Sequence, residues 1–335
     1  MIISRTPYRI SFCGGGTDIK AFYKKTIGKV ISTSINKYLY VIARRQLGLV
    51  EFKYRLNYST VEFCKSIDEI KHPIVKAAFE IFEVNYPIEI TTFADIPAST
   101  GLGSSSAFAV GLIHALAGLQ GKLMTKYEIA SLAAHIEIDL LKRNIGKQDH
   151  FASAYGGLNV FTFFENEKVE VAPVFCEENR FEQFQNSLLL FFTGMKRDAS
   201  EILSKQVEST NEKMNVLGAM RDQVDELKNW LGSGMELSNI GEIFHKAWLL
   251  KKSIADGISD PSIDNIYKRA IKAGALGGKL LGAGGGGFLL FYVEASCQSQ
   301  VRKALKDLFE VKFRFDSGGS RITYFDRGID NNDRK

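Results

Sequence analysis

Three glycine clusters and two carboxylates hold most of the chemistry-bearing residues of this 335-residue chain. The stretch "IPASTGLGSSSA", residues 96–107, passes through Gly101 and Gly103 into Ser104, Ser105 and Ser106 at the head of an apolar segment. Phe108, Leu112, Ala115 and Leu119 recur at helical spacing and predict a helix over 104–119. The first N–H groups of a helix have no intrahelical partner and lie at the positive end of its dipole. Glycines just ahead of them let a ligand approach the backbone with no Cβ in the way. Such a helix start binds phosphate. A capped helix with a loose approach is the simpler alternative.

The second cluster, "TPYRISFCGGGTD", places Arg9 in a strand-like segment that ends in Gly14, Gly15 and Gly16, followed by Thr17 and Asp18. Taken alone it reads equally well as a hairpin turn. The third, "KLLGAGGGG", formally contains a dinucleotide fingerprint across Gly282, Gly284 and Gly287, but it enters the strand-like "FLLFYV". That fingerprint needs a helix after it, so a dinucleotide site is excluded. Five glycines in six residues are more than a turn requires and point to close approach by a ligand or another loop. No Gly-Lys pair carries the spacing of a P-loop, which excludes that class of nucleotidase.

Glu137 stands between Ile136 and Ile138 in a helical segment, and Asp149 follows in the polar stretch "NIGKQDHF". A carboxylate and a serine hydroxyl suit Mg²⁺ held largely through phosphates. A further aspartate can orient or deprotonate an alcohol. Each also has a plainer reading, a solvated helix face for Glu137 and a turn for Asp149. Lys196 and Arg197 follow "LLLFFTG" just before a helix start at Asp198, where they could hold a phosphate on a substrate.

The elements that must position these residues begin with β signals across the first third, in "MIISRTPYRISF", "KVISTSINKYLYVIARRQ" and "YPIEITTFADI". After the 104–119 helix, Thr125 and Glu128 form a capping-box pattern that opens a second helix running to about residue 142. A domain boundary is expected near residue 180, giving domains over 1–180 and 181–335. The second half should hold a buried strand at "SLLLFFTG", helices near 198–230 and 236–255, and a helix opened by Pro261. After the glycine-rich turn come a strand, the helix "SQVRKALKDLFE" and two short strands, "VKFRFD" and "RITYF". Helices over largely antiparallel sheets make both domains α+β.

Composition sets the outer bounds. The chain is 45% hydrophobic and 24% charged, ordinary for a globular protein with a sizeable core. Its net charge of +5, from 43 Lys+Arg against 38 Asp+Glu with no long basic tract, suits small anions better than nucleic acid. The cysteines at 13, 64, 176 and 297 are scattered, as expected in a reducing cytoplasm. No apolar run reaches the ~18 residues of a membrane span.

Together the three clusters resemble the motifs of the GHMP kinases, in the same order and over nearly the whole chain. The resemblance implies a ribosomal-S5-domain-2-like N-terminal domain and a ferredoxin-like C-terminal one. It implies ATP bound by Pro97, Gly101, Leu102, Gly103, Ser104, Ser105, Ser106 and Ala107, and Mg²⁺ contacted by Ser105 and Glu137. Asp149 matches the residue that faces the acceptor hydroxyl, with Arg9 beside it. Gly15, Gly16, Thr17, Asp18, Gly284, Gly285 and Gly286 match substrate-binding positions, and Arg197 joins them as the phosphate holder. Galactokinases carry Glu-His where this chain has Gly15-Gly16, which disfavours galactose and leaves room. The version here is most similar to the subgroup phosphorylating the anomeric hydroxyl of D-glycero-D-manno-heptose 7-phosphate, with fucokinase-type domains the nearest competitor. A catalytically inactive sugar or nucleotide sensor is the rival of another class. The implied partner is a small sugar or sugar phosphate, without nucleic acid or membrane, and a homodimer is allowed.

Overall fold

A computed structural model describes residues 1–195 and 200–326. Two sheets carry these residues, and helices cover them, as the α+β expectation requires. The spine of the first sheet is β1 (Ile2–Cys13) paired with the 18-residue β2 (Gly28–Arg45). The first half of β2 also pairs with β6 (Leu158–Phe163), and its second half with β5 (Ile88–Ala94). Beyond β5 lie β3 (Tyr54–Asn57) and β4 (Val61–Cys64), and beyond β6 lies β7 (Val169–Pro173). Among the described pairs only β3 with β5 is parallel.

The second sheet runs β11 (Phe309–Glu310), β8 (Leu188–Phe192), β10 (Phe288–Tyr292), β9 (Gly277–Leu280). Its central strands read LLLFF and FLLFY and are buried almost throughout, without the alternation of a half-exposed strand. The strand β12 (Arg321–Phe325) leaves this sheet and pairs with β1. "VKFRFD", expected as a strand, makes only an isolated bridge from Phe315 to Ile35. Phe315 instead packs against Phe12, Phe181 and Phe184, so its ring fills a core rather than a ladder.

The helix Ser104–Leu119 begins and ends where its spacing predicts. It is buried along most of its length against β1 and β2. A Cβ at Gly111 would come within 2.9 Å of Thr6 Oγ1, and Ser4 Oγ donates to the Gly111 carbonyl at 2.7 Å, so the helix lies unusually close to the sheet. Leu112, Ile113 and Leu116 are fully buried there, each contributing about 1.5–3 kcal/mol. The loop ahead of this helix therefore starts from a fixed seat.

The capping box at Thr125 and Glu128 is present in both directions. The helix it opens differs from expectation at its far end. It is α-helical over Lys126–Ala134 and then widens into a π turn over His135–Leu140, marked by a Leu141 N–H bond to the Ile136 carbonyl at 2.9 Å. The extra residue turns Glu137 inward, and π turns of this kind are frequent at functional sites.

Candidate active site

A cavity of about 670 Å³ opens where the end of β1, the loop before the Ser104–Leu119 helix, the π turn and the glycine-rich turn meet. Gly101, Gly103, Ser104, Ser105 and Ser106 line one side. Gly103 caps the helix in the left-handed region, φ 78°, and no described side chain caps it. The first-turn amides are thus left for a ligand. A Cβ on Gly103 would lie 3.1 Å from Asp149 Oδ2, so glycine there serves both conformation and fit.

The third glycine cluster is explained by another loop rather than by a ligand. A Cβ on Gly101 would meet the Leu281 carbonyl at 2.6 Å, one on Gly282 would meet Gly101 Cα at 2.4 Å, and one on Gly287 the Thr100 carbonyl at 2.3 Å. Backbone lies on backbone. Gly282 reaches the cavity wall, whereas Gly284, Gly285 and Gly286 are engaged with Ile258 and Met195. Lys251, buried, donates to the carbonyls of Leu280 (2.9 Å) and Gly282 and so pins the start of the turn. Burial, with Lys279 and Arg9 nearby, holds its pKa well below the usual lysine value. Lys279 donates to the Phe12 carbonyl at 2.5 Å, tying the second sheet to β1, and burial pushes its pKa down to about 8.

Arg9 and Asp149 form a two-pronged pair. Nε donates to Oδ1 at 2.7 Å and Nη2 to Oδ2 at 2.8 Å, while Nη1 reaches the Gly101 carbonyl at 2.8 Å. Arg9 is 4% exposed and Asp149 lies in the first turn of the Gln148–Tyr155 helix. The guanidinium thereby fixes the aspartate relative to the loop at the helix start.

Glu137 is fully buried and compensated on both oxygens. His150 Nε2 lies 2.9 Å from Oε2, and the Ser105 hydroxyl donates to Oε1 at 2.5 Å. Arg143 Nη1 bonds to Ser105 Oγ at 2.7 Å and to Glu137 Oε1. Burial alone would raise this carboxyl, but the contacts with His150, Ser105 and Arg143 outweigh it and leave the pKa below the ordinary value. Two hard oxygens meeting at one point, with a cationic group already on them, fit a divalent ion. Among the described residues no cluster of three or more His, Cys, Asp or Glu would cage a metal unaided, so phosphate and water oxygens would complete the shell.

Asp18 closes the far side, 2% exposed, accepting from the Gly16 and Gln148 amides at 3.0 and 3.1 Å and from Gln148 Nε2 at 3.1 Å. Burial raises its pKa despite these bonds. Gly15 and Gly16 flank it on the cavity wall.

Of the residues expected from sequence, Arg9, Gly15, Gly16, Asp18, Glu137 and Asp149 converge on this cavity with the loop at 101–106. Thr17 does not. It is buried, and its hydroxyl donates to the carbonyls of Gly14 and Lys29, holding the turn together. Leu102 and Ala107 are buried in the core, and Pro97 is an exposed residue whose carbonyl accepts from Thr100 Oγ1. Arg197 and Lys196 lie outside the described residues. Ser11, Arg143, Gln148, Lys251 and Lys279 line the cavity without having been expected there. Proximity to Asp149 in the chain could have flagged Arg143 and Gln148. Lys279 opens the third motif, but nothing local marks Lys251.

Comparison with known proteins agrees with this geometry. Residues 72–157 match the family model for the GHMP kinases N terminal domain, and residues 196–311 that for GHMP kinases C terminal. The chain is 30% identical over 316 residues to a D-glycero-alpha-D-manno-heptose 7-phosphate kinase of Campylobacter jejuni, covering 91% of this chain and 93% of that one. It is 24% identical over 336 residues to the bifunctional fucokinase/GDP-fucose pyrophosphorylase of Arabidopsis thaliana, covering 91% of this chain but 31% of that protein. A crystal structure of a D-glycero-D-manno-heptose 1-phosphate kinase from Bacteroides thetaiotaomicron superposes with a TM-score of 0.77 at 24% identity, covering 97% of this chain and 99% of that one. Among the described residues no helix is long and apolar enough to cross a membrane. Two family models that together span most of the chain, and a relative 30% identical over nearly all of it, show that the chain belongs to the GHMP kinases, ATP-dependent phosphotransferases that act on a hydroxyl group.

Proposed function

We propose that the protein transfers the γ-phosphoryl group of ATP to the anomeric hydroxyl of a heptose phosphate, D-glycero-D-manno-heptose 7-phosphate, on a route to nucleotide-activated heptose. The observation that carries this reading is the Arg9–Asp149 pair, bonded to the same loop whose amides open toward the cavity. Amides of Gly101 to Ser106 hold the phosphates. When bound, Mg²⁺ neutralises charge on the β- and γ-phosphates. Asp149 orients the acceptor hydroxyl and takes its proton as the new P–O bond forms. The bond from the γ-phosphorus to the bridging oxygen breaks, and ADP leaves with its electron pair. Arg9, donating to both of its oxygens, holds Asp149 in line with the acceptor.

The acceptor side favours a polyol that carries its own phosphate. Asp18 can accept from sugar hydroxyls, and Gly15 leaves the space that a larger residue would fill: a Cβ there would touch only Gln148 and Ser11, at 3.6 and 3.8 Å. Five basic side chains (Arg9, Lys142, Arg143, Lys251 and Lys279) line the cavity against three carboxylates, and the charge of phosphorylated ligands would favour the protonated forms of Lys251 and Lys279 that burial opposes. Two relatives named as heptose phosphate kinases support the sugar.

Coupled measurement of ADP release should give heptose 7-phosphate a kcat/KM about tenfold or more above mannose 6-phosphate, fucose and galactose, the discrimination a few pocket contacts supply. Phosphorus NMR of the product should place the new phosphate on C1. Turnover of heptose 1-phosphate in preference to the 7-phosphate would reject the anomeric position. No turnover of any sugar, with ATP still bound, would favour a sensor.

Gly146 offers a sharper probe of the acceptor side. A Cβ there would fall 1.9 Å from Asp18 Oδ2, so Gly146→Ala must displace that carboxylate. The acceptor KM should rise about 10- to 100-fold, equivalent to ~1.5–3 kcal/mol of charged hydrogen bonding, while the KM for ATP barely moves. Equal changes in both constants would detach Asp18 from the acceptor.

A further inference from the structure

The Arg143 guanidinium rests on the two oxygens assigned above to a divalent cation. Nη1 donates to Ser105 Oγ at 2.7 Å and to Glu137 Oε1, while the side chain as a whole is about a third exposed and lines the cavity. Its backbone is held to the π turn, the Arg143 N–H donating to the Glu137 carbonyl at 3.0 Å. Only the side chain is free to move.

The carboxylate explains why a cation sits there. Glu137 has no solvent exposure, and His150 occupies just one of its oxygens. A buried carboxylate left without a cationic partner is strongly unfavourable. Arg143 supplies that partner. A metal ion on the same two oxygens would need the lone pairs that Nη1 now engages, and two cations at that separation repel each other in a site shielded from water. Guanidinium and metal therefore exclude one another. The phosphates of a nucleotide on the neighbouring amides offer the displaced guanidinium a new partner, since its planar fork matches phosphate oxygens two at a time.

We infer that Arg143 is a resident counter-ion: it neutralises Glu137 while the nucleotide is absent, yields that place to the metal, and turns onto the nucleotide's phosphates. The inference rests on the reading of Ser105 and Glu137 as the metal pair. It makes metal binding depend on nucleotide, because the bare ion must evict an arginine that has no phosphate to turn onto.

Two measurements on the intact protein test this, with Mn²⁺ as the probe. Electron paramagnetic resonance gives Mn²⁺ affinity without nucleotide, and calorimetry gives the affinity for ADP at saturating Mn²⁺. Arg143→Ala should tighten Mn²⁺ about tenfold without nucleotide and weaken ADP about tenfold, a shift of ~1.4 kcal/mol each way. Opposite signs are the signature, since a merely structural loss would weaken both. Arg143→Lys should leave Mn²⁺ binding weak while still loosening ADP, because it keeps the charge and loses the fork. Should Arg143→Ala fail to fold by thermal melting, Arg143→Gln carries the same prediction. Unchanged Mn²⁺ affinity, or changes of one sign, would overturn the inference. Glu137→Gln separates the two readings. If Mn²⁺ binding with ADP survives in that variant, the metal pair itself is wrong; if it is lost there while Arg143→Ala binds Mn²⁺ like the parent, only the role of Arg143 falls.

Discussion

Asp149→Asn is expected to lower kcat by about 10²–10⁴-fold, the range for losing a positioned general base. The substitution keeps the size of the side chain and its place in the first turn of the Gln148–Tyr155 helix. It removes the proton acceptor and one prong of the pair with Arg9, whose Nε and Nη2 each need an oxygen. Because Arg9 also holds the Gly101 carbonyl, the loop keeps one of its ties and nucleotide affinity should change little. An anomeric hydroxyl is more acidic than an ordinary alcohol, which puts the loss toward the lower end of that range. Steady-state kinetics with both substrates varied will show a fall in kcat with the KM for ATP nearly constant. Turnover close to that of the parent would remove Asp149 from the chemistry and leave it a loop anchor.

Glu137→Ala should cost about 3–5 kcal/mol of folding stability, the usual penalty for removing one partner of a buried charged group. Three groups lose their partner at once: His150, the Ser105 hydroxyl and Arg143. Glu137→Gln keeps the shape and some of the hydrogen bonds and should lose less stability, while still losing turnover. The pH dependence carries a sign. Because the carboxyl's pKa is lowered in the folded protein, its contribution is present above the unfolded-state value and disappears as pH falls through the folded one. The stability gap between parent and Glu137→Gln should therefore narrow on acidification, read from urea midpoints across a pH series. A gap that stays constant toward acid would mean that Glu137 contributes through shape alone.

Much of this site could be read before any coordinates. Helical spacing and the glycine–serine run placed a helix start at Ser104 behind a glycine loop, because periodicity and local backbone freedom are written in neighbouring residues. The capping box at Thr125 is equally local. The π turn was not legible. Within it Glu137 bonds to Ser105 and His150, partners 32 and 13 residues away, and local propensity carries no record of contacts so distant. The third glycine cluster was read as close approach, which holds, but its main partner is the backbone of residues 100 and 101. Lys251 belongs to a helix whose apolar spacing hides it, and only the fold brings it under Leu280 and Gly282.

The pairing of β12 with β1 sets a schedule for synthesis. β1 is made first and carries Arg9, yet one of its edges stays open until the strand Arg321–Phe325 arrives. At about 5–20 residues per second the ribosome leaves that edge bare for on the order of tens of seconds. An unpaired edge is a template for any other strand that meets it. The nascent chain is thus exposed to misassembly at the strand that bears Arg9, and most of the kinase must be built before the Ile2–Arg5 end of that strand is sealed.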